Sequence, residues 1–285
     1  MTVAPGVDRY HHVTEYYRRA TEGHVYIRET LDALLDTVAA RLARLGGTPR
    51  ILELGSHAGV TTEALLRRCP EVEIIVSDDN EELVAMSRRR LADRRIEYHA
   101  GPVEALAQPV DLVISIARHH HLPHDYLAGV HRVMKPAAVY VVADELCPEY
   151  CTGEHAQRIA RAEVLRMARG YVLTSRAGVA AFDESGTIPP EAIELEQLRR
   201  RALWRWYRFV VDHAVEHGYF DVAAAELQSA RDDLVTGSDA EHKFGPLIVE
   251  RQLALAGFAQ LSKRLIGPPE DPERQSMFVY EYGLA

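Results

Sequence analysis

A chain of 285 residues, 47% of them hydrophobic, is long enough for one large globular domain or two small ones with a full apolar core. Its formal net charge of -9 at pH 7 argues against a nucleic-acid partner, because phosphate recognition needs a basic surface. No run of about 18 apolar residues occurs, so no membrane span is expected, and three cysteines are too few and too odd in number for a disulfide framework.

The opening MTVAPGVDRYHH has neither a basic n-region nor an apolar h-region, so no signal peptide is expected. That reading makes the chain cytoplasmic, with Cys147 and Cys151 as reduced thiols rather than a pair or metal ligands with His155. The runs Arg88-Arg89-Arg90 and Arg199-Arg200-Arg201 have acidic neighbours and read as solvated helix faces.

Residues 8–20 predict a polar, aromatic helix in which Tyr10 and Tyr17, seven apart, share one face. It either packs on the domain or forms a lid over a ligand. Residues 25–45 carry Ile27, Leu31, Leu34, Leu35, Val38 and Leu42 at helical spacing, stopped by Gly46-Gly47. This is a structural helix. Residues 1–46 are thus expected to form an N-terminal helical region.

The stretch Ile51 to Thr62, ILELGSHAGVTT, reads as a buried strand, a glycine turn at Gly55 and Gly59, and a helix start. Glycine lets a backbone approach a ligand, and a helix N-terminus offers free N–H groups. The turn lacks the G-x-G-x-x-G of a dinucleotide site. A second strand, Glu73–Ser77, ends in Asp78-Asp79-Asn80. An acidic residue there can accept both hydroxyls of a ribose diol or cap the next helix. A third strand, Ile96–His99, leads to Gly101-Pro102-Val103. The fourth, Val110–Ala117, runs into Arg118-His119-His120-His121. A fifth, Val139–Ala143, ends at Asp144-Glu145. Three adjacent histidines on a loop point in different directions and cannot all reach one ion, so no metal is expected.

In successive places along Ile51 to Asp144 the chain resembles class I S-adenosylmethionine (SAM)-dependent methyltransferases. Glu53-Leu54-Gly55-Ser56-His57-Ala58-Gly59 is similar to E/D-x-G-x-G-x-G, with His57 at the middle glycine. Asp78-Asp79-Asn80-Glu81-Glu82 resembles D-x-N/S-x-E, and Asp111-Leu112-Val113 with the histidines resembles D-L-V-x-S…H-H-L-P. Val130 to Pro136 resembles E-V-x-R-V-L-K-P. Pro102 stands where the family commonly has an aspartate that reads adenine, which leaves backbone groups of Val103 for that task.

The resemblance implies an α/β, Rossmann-like doubly wound sheet of seven strands with an antiparallel last strand, and SAM as cofactor. It nominates Glu53, Gly55, Ser56, His57, Gly59, Asp78, Asp79, Val103 and Ala117 around SAM. His119, His120, Glu145 and Tyr150 are the catalytic candidates, and Tyr10, Tyr17, Asp144 and Tyr171 the substrate or lid candidates. Residues 47–145 and 246–285 form the SAM-binding domain in this reading. Residues 146–245 form a helical cap, with helices over 154–170, 190–218 and 222–234.

The implied function is methyl transfer to a small molecule in secondary metabolism. Partners are then a small-molecule substrate and, as an open option, a second copy of the chain, with neither nucleic acid nor membrane. The alternative is a SAM cyclase or lyase that releases methylthioadenosine and forms 1-aminocyclopropane-1-carboxylate or azetidine-2-carboxylate. SAM alone would be its substrate.

Overall fold

Strand β1 (Arg50–Leu54) is buried at every position after the first, the pattern of a central strand covered on both faces. The same holds for most of β2 (Glu73–Asp78), β4 (Val110–Ile116) and β5 (Met134–Glu145). In a computed structural model describing residues 9–78, 80–91, 95–121, 126–160, 190–236 and 243–285, these strands join β3 (Ile96–Ala100), β6 (Phe258–Ile266) and β7 (Met277–Leu284). The sheet order is β3-β2-β1-β4-β5-β7-β6. Strands β1 to β5 pair in parallel, and β7 runs antiparallel to both β5 and β6. The order in which the chain adds strands reverses between β1 and its parallel neighbour β4. Open α/β sheets form their ligand crevice at that switch point.

One face of the sheet packs Leu34 and Val38 of α2 (Ile27–Leu42) and Leu65 of α3 (Val60–Arg68) against Ile51, Ile74, Ile114 and Val141. The other packs Val130 and Val133 of α5 (Tyr126–Val133) and Ile248 and Leu253 of α8 (Pro246–Leu255) against Leu52, Val113 and Val142. Helices α1 (Arg9–Gly23) and α4 (Glu81–Arg90) complete this part. Strand β5 is longer than its apolar core suggests. It starts at Met134, which pairs with Val110 before a register shift, so Lys135-Pro136 lies inside the strand rather than before it.

Between β5 and α8 lie a helical stretch at 153–160 and two helices, α6 (Pro190–Glu216) and α7 (Phe220–Arg231). Trp206 and Val210 of α6 enter the core beside the sheet, while Leu203 and Tyr207 pack with Cys147 and Ala230. The many apolar residues of α6 therefore serve two neighbours, but Trp204 is 51% exposed and serves neither. The solvated-face reading fails at Arg199, which is buried. It bonds Asp233 at 2.7 Å and Glu196 at 2.8 Å, because a guanidinium is tolerated inside only when paired.

The entry and exit of this insertion touch. The Cys147 N–H donates to the Phe244 carbonyl at 2.9 Å, and Leu247 N–H donates to the Glu149 carboxylate at 2.9 Å. All three cysteines are free thiols, and no helix among the described residues is long and apolar enough to cross a membrane.

Candidate active site

The β1–α3 turn is held in the left-handed region at four positions: Gly55 (φ 86°), His57 (41°), Ala58 (50°) and Gly59 (82°). Two of these are not glycine, so the turn stores backbone strain that its surroundings must hold in place. Asp78, at the end of β2, does part of this. Its Oδ2 accepts from the Ser56 N–H at 2.8 Å and from the Ser56 hydroxyl at 3.0 Å. A Cβ at Gly55 would lie 2.8 Å from Arg118 Cγ, and one at Gly59 would crowd Leu91, Ser87 and Arg90. Gly59 thus allows close packing on α4, whereas Gly55 faces the cavity.

Glu53 is buried beneath the turn and accepts from the Thr62 hydroxyl at 2.6 Å, while its Oε1 has no hydrogen-bond partner. Burial pushes its carboxyl up to about 8, with Asp78 adding to the rise against the Thr62 bond. His57, edge-on to Tyr17 with ring centroids 5.4 Å apart, goes the other way. Burial and then the Arg118 charge hold it down to about 4, so its imidazole is neutral at pH 7.

A cavity of about 250 Å³ opens above the turn at the β1/β4 switch. Its floor is Gly55, His57, Thr61, Asp78 and Ala117, and it is covered by Tyr16 and Tyr17 of α1 and by His24 just after that helix. The far wall is Glu145 together with Glu226 of α7 and Lys243. Ala117 takes φ 44° as its N–H bonds the Ala143 carbonyl at 2.8 Å, which turns the chain across the cavity mouth.

After that bend, His120 is fixed by Asp144. Its backbone N–H donates to Oδ2 at 2.8 Å, and its Nδ1 lies 2.7 Å from Oδ1. Burial alone would raise the Asp144 carboxyl. The His120 contacts outweigh it, aided by His119 and His121, and hold it below the usual range. Nδ1 therefore carries the proton toward Asp144, which fixes the ring's orientation. His119 takes another path: its Nδ1 bonds the Tyr126 hydroxyl at 2.7 Å, which bonds that of Tyr140 at 2.6 Å.

Glu145 ends β5 among groups far away in the chain. The Trp206 indole N–H donates to Oε1, and the Lys243 ammonium lies 3.0 Å from Oε2. Burial would raise this carboxyl, but Lys243 first, then His24 and His120, hold it low. His24 Nε2 lies 3.7 Å from Glu145 and 3.8 Å from Glu226.

Of the residues nominated in the sequence, Gly55, His57, Asp78, Ala117, His120, Glu145 and Tyr17 line the cavity. Glu53, Ser56, Gly59 and Asp144 sit behind it and shape those that do. His119 faces the Tyr126–Tyr140 pair instead, while His121 lines the cavity. Val103 packs under α5 in the second core. Tyr150 lines a separate hollow with Cys151, His155 and Leu198. Asp79, Tyr171 and the Tyr10 side chain lie outside the described residues. Sequence reading missed His24, Arg118, Glu226 and Lys243. Arg118 alone had a local signal, as the residue next to Ala117 at a strand end.

Residues 51–137 match a family model described as a methyltransferase domain. With the sheet order above, that decides the class. This core belongs to the class I SAM-dependent methyltransferase superfamily. The superfamily's cofactor is SAM, and the strained turn, the unpartnered Glu53 oxygen and the glycine that faces the cavity fit such a group. Among solved structures, the CurJ carbon methyltransferase is 12% identical with a TM-score of 0.56, covering 98% of this chain and 60% of that one. A chain from the complex of the Haloferax volcanii Trm112 methyltransferase activator with a methyltransferase is 13% identical, TM-score 0.49, covering 100% and 99%. A SAM-dependent methyltransferase of Mesorhizobium loti is 16% identical, TM-score 0.47, covering 87% and 99%. No curated protein sequence gives a significant match.

Proposed function

We propose that this methyltransferase acts on a small molecule, and the observation that carries the proposal is the roof. Tyr17 of α1, His24 just after it, Glu226 of α7 and Lys243 stand over the strand ends and enclose a cavity of about 250 Å³. A roofed chamber set in from the surface suits a compact acceptor and not the surface of a macromolecule. Biosynthesis of a small metabolite inside the cell is the setting that agrees with it.

When bound, SAM supplies an electrophilic methyl group on a sulfonium. The chain's own part is to hold the cofactor, align the acceptor in line and exclude water. Gly55 and His57 would border the cofactor through the turn, and Asp78 would take ribose hydroxyls with the acceptor capacity it keeps beyond Ser56. The Asp144-held His120 presents a preoriented imidazole to the same space. Residues 146–245 act as the cap that closes the acceptor end.

The test is product analysis by mass spectrometry. The pure protein with SAM and a set of small acceptors should yield S-adenosylhomocysteine and a methylated product. Methylthioadenosine and a four-carbon cyclic amino acid from SAM alone would establish cyclisation in its place.

A further inference from the structure

The C-terminal end of α6 carries His213 and His217, four residues apart and therefore on one face of the helix. His217 continues the helical ladder, since its N–H donates to the His213 carbonyl at 3.1 Å. The two rings lie with centroids 4.2 Å apart and planes tilted by 34°. Nδ1 of His217 also bonds the His213 carbonyl, at 2.8 Å. A carbonyl can only accept, so that Nδ1 carries its hydrogen in either charge state of the ring, and Nε2 is the atom left for another partner. His217 is exposed and His213 half-buried, and neither ring makes a further hydrogen bond among the described residues. Neither lines the cavity above the β1–α3 turn.

The surroundings favour a positive ion at this pair. The last carbonyls of α6 give its C-terminal end negative character. The carboxylates of Glu216 and of Glu29 on α2 act on His213 in the same sense. Against them, burial first, then the charges of His217 and His24, make a proton on His213 unfavourable. A divalent metal that takes nitrogen ligands meets both conditions, because it displaces a ring proton and bonds the nitrogen directly. Two bonds of about 2.0–2.1 Å at a tetrahedral angle put the nitrogens about 3.3 Å apart, within a small side-chain rotation of the observed rings. Mg²⁺ and Ca²⁺ prefer oxygen ligands and do not suit the pair.

We propose that His213 and His217 form a binding site for a divalent cation of the zinc, nickel and copper group, with water in its remaining positions. The site is separate from the cavity and does not depend on what reaction occurs there. The two rings converge only on the folded helix, so the bound ion adds its binding free energy to the stability of α6. That helix also carries Trp206, whose indole N–H donates to Glu145.

The experiment uses the full chain, stripped of metal with a chelator and titrated with Zn²⁺ and, separately, with Mg²⁺. Calorimetry and the ¹⁵N resonances of the histidine rings are followed together. Zn²⁺ should move the His213 and His217 resonances over one and the same concentration range, and Mg²⁺ should move neither. His217→Gln keeps a polar side chain on the helix but removes the ligand nitrogen. It should weaken Zn²⁺ at His213 by at least about tenfold, the least that loss of even an outer partner costs a metal site. Its thermal midpoint without metal should match that of the parent, which shows that it is folded. His213→Gln should have the same effect on His217.

Resonances that move at different Zn²⁺ concentrations, or stay in place while Zn²⁺ binds elsewhere on the chain, overturn the proposal. So does an equal response to Mg²⁺, or an unchanged Zn²⁺ affinity at the remaining ring of either variant. If a variant fails to fold, the joint movement of the two resonances in the parent chain decides the outcome alone.

Discussion

The Lys243 ammonium sits 3.0 Å from the carboxylate of Glu145, a residue 98 positions earlier, with both side chains buried. The contact ties the last residue of β5 to the segment returning from the insertion, and it sits on the wall of the cavity. Such a pair adds little net stability over an apolar one, but losing one partner strands a buried charge.

Lys243→Met should therefore destabilise the protein by about 3–5 kcal/mol. The double variant with Glu145→Gln should regain a large part of that loss, since no full charge is then left unmatched. Urea denaturation of the three proteins reads both values. Additive losses would show that the two residues do not act on each other.

Asp144→Asn should lower turnover by about 10²-fold, the scale of a misdirected proton-handling group. Asparagine keeps the shape but no longer holds His120 by charge. Binding of S-adenosylhomocysteine measured by calorimetry should change by far less, because Asp144 lies behind the cavity wall.

Removing the Asp78 carboxylate should weaken S-adenosylhomocysteine by about 1–3 kcal/mol, the loss of a charged hydrogen-bond partner. Part of that effect would come through the turn, since Asp78 also anchors Ser56. Ser56→Ala separates the two contributions. It removes one of the anchoring bonds and should cost less than Asp78→Ala in the same titration.

Glu53 and His57 make opposite contributions to the pH dependence of the ligand-free protein. With a folded value of about 8, Glu53 stabilises fully below its unfolded value near 4.5 and loses that contribution as pH rises to 8. His57, held down to about 4, favours the folded state above its unfolded value near 6.5 and loses that as pH falls to 4. Between about pH 4.5 and 6.5 the two slopes cancel. From 6.5 to 8 only the Glu53 slope remains, about 1.4 kcal/mol per pH unit. Stability by denaturant titration should fall across that upper window, and Glu53→Gln should flatten the fall. Asp144 and Glu145, both held low, contribute stability that is lost only as pH drops below their unfolded values near 4.

Strands β1, β2 and β5 were legible because each announces itself twice, as an apolar run and as the glycine or acid that ends it. Gly55, Asp78, Ala117 and Asp144 all occupy strand ends, where short-range pattern and position in space coincide. The rest of the site escaped for the opposite reason. Glu226 lies on a helix whose own periodicity explains it as an ordinary amphipathic residue, Lys243 stands in the irregular segment ahead of α8, and His24 looks like a helix terminus. Arg199 misled in the same way, since its basic neighbours suggest a solvated stripe and only Asp233, 34 residues on, reveals it as an interior charge. Tyr150 lies only five positions after Glu145, yet it lines the hollow beside Cys151 and His155.

The bond between Cys147 and Phe244 has a consequence for how the molecule diversifies. Because the insertion leaves and rejoins at one point, it is grafted onto the sheet rather than woven through it. Changing its length need not disturb the pairing of β5 with β7 as long as Trp206 and Val210 still fill the core beside the sheet, and each doubling of the closed loop costs only about 0.6 kcal/mol in chain entropy. Of the residues around the chamber, Glu226 and Lys243 come from the insertion, whereas the strained turn and Glu145 belong to the sheet, so a change in the insertion alters one wall and leaves the turn's own residues in place.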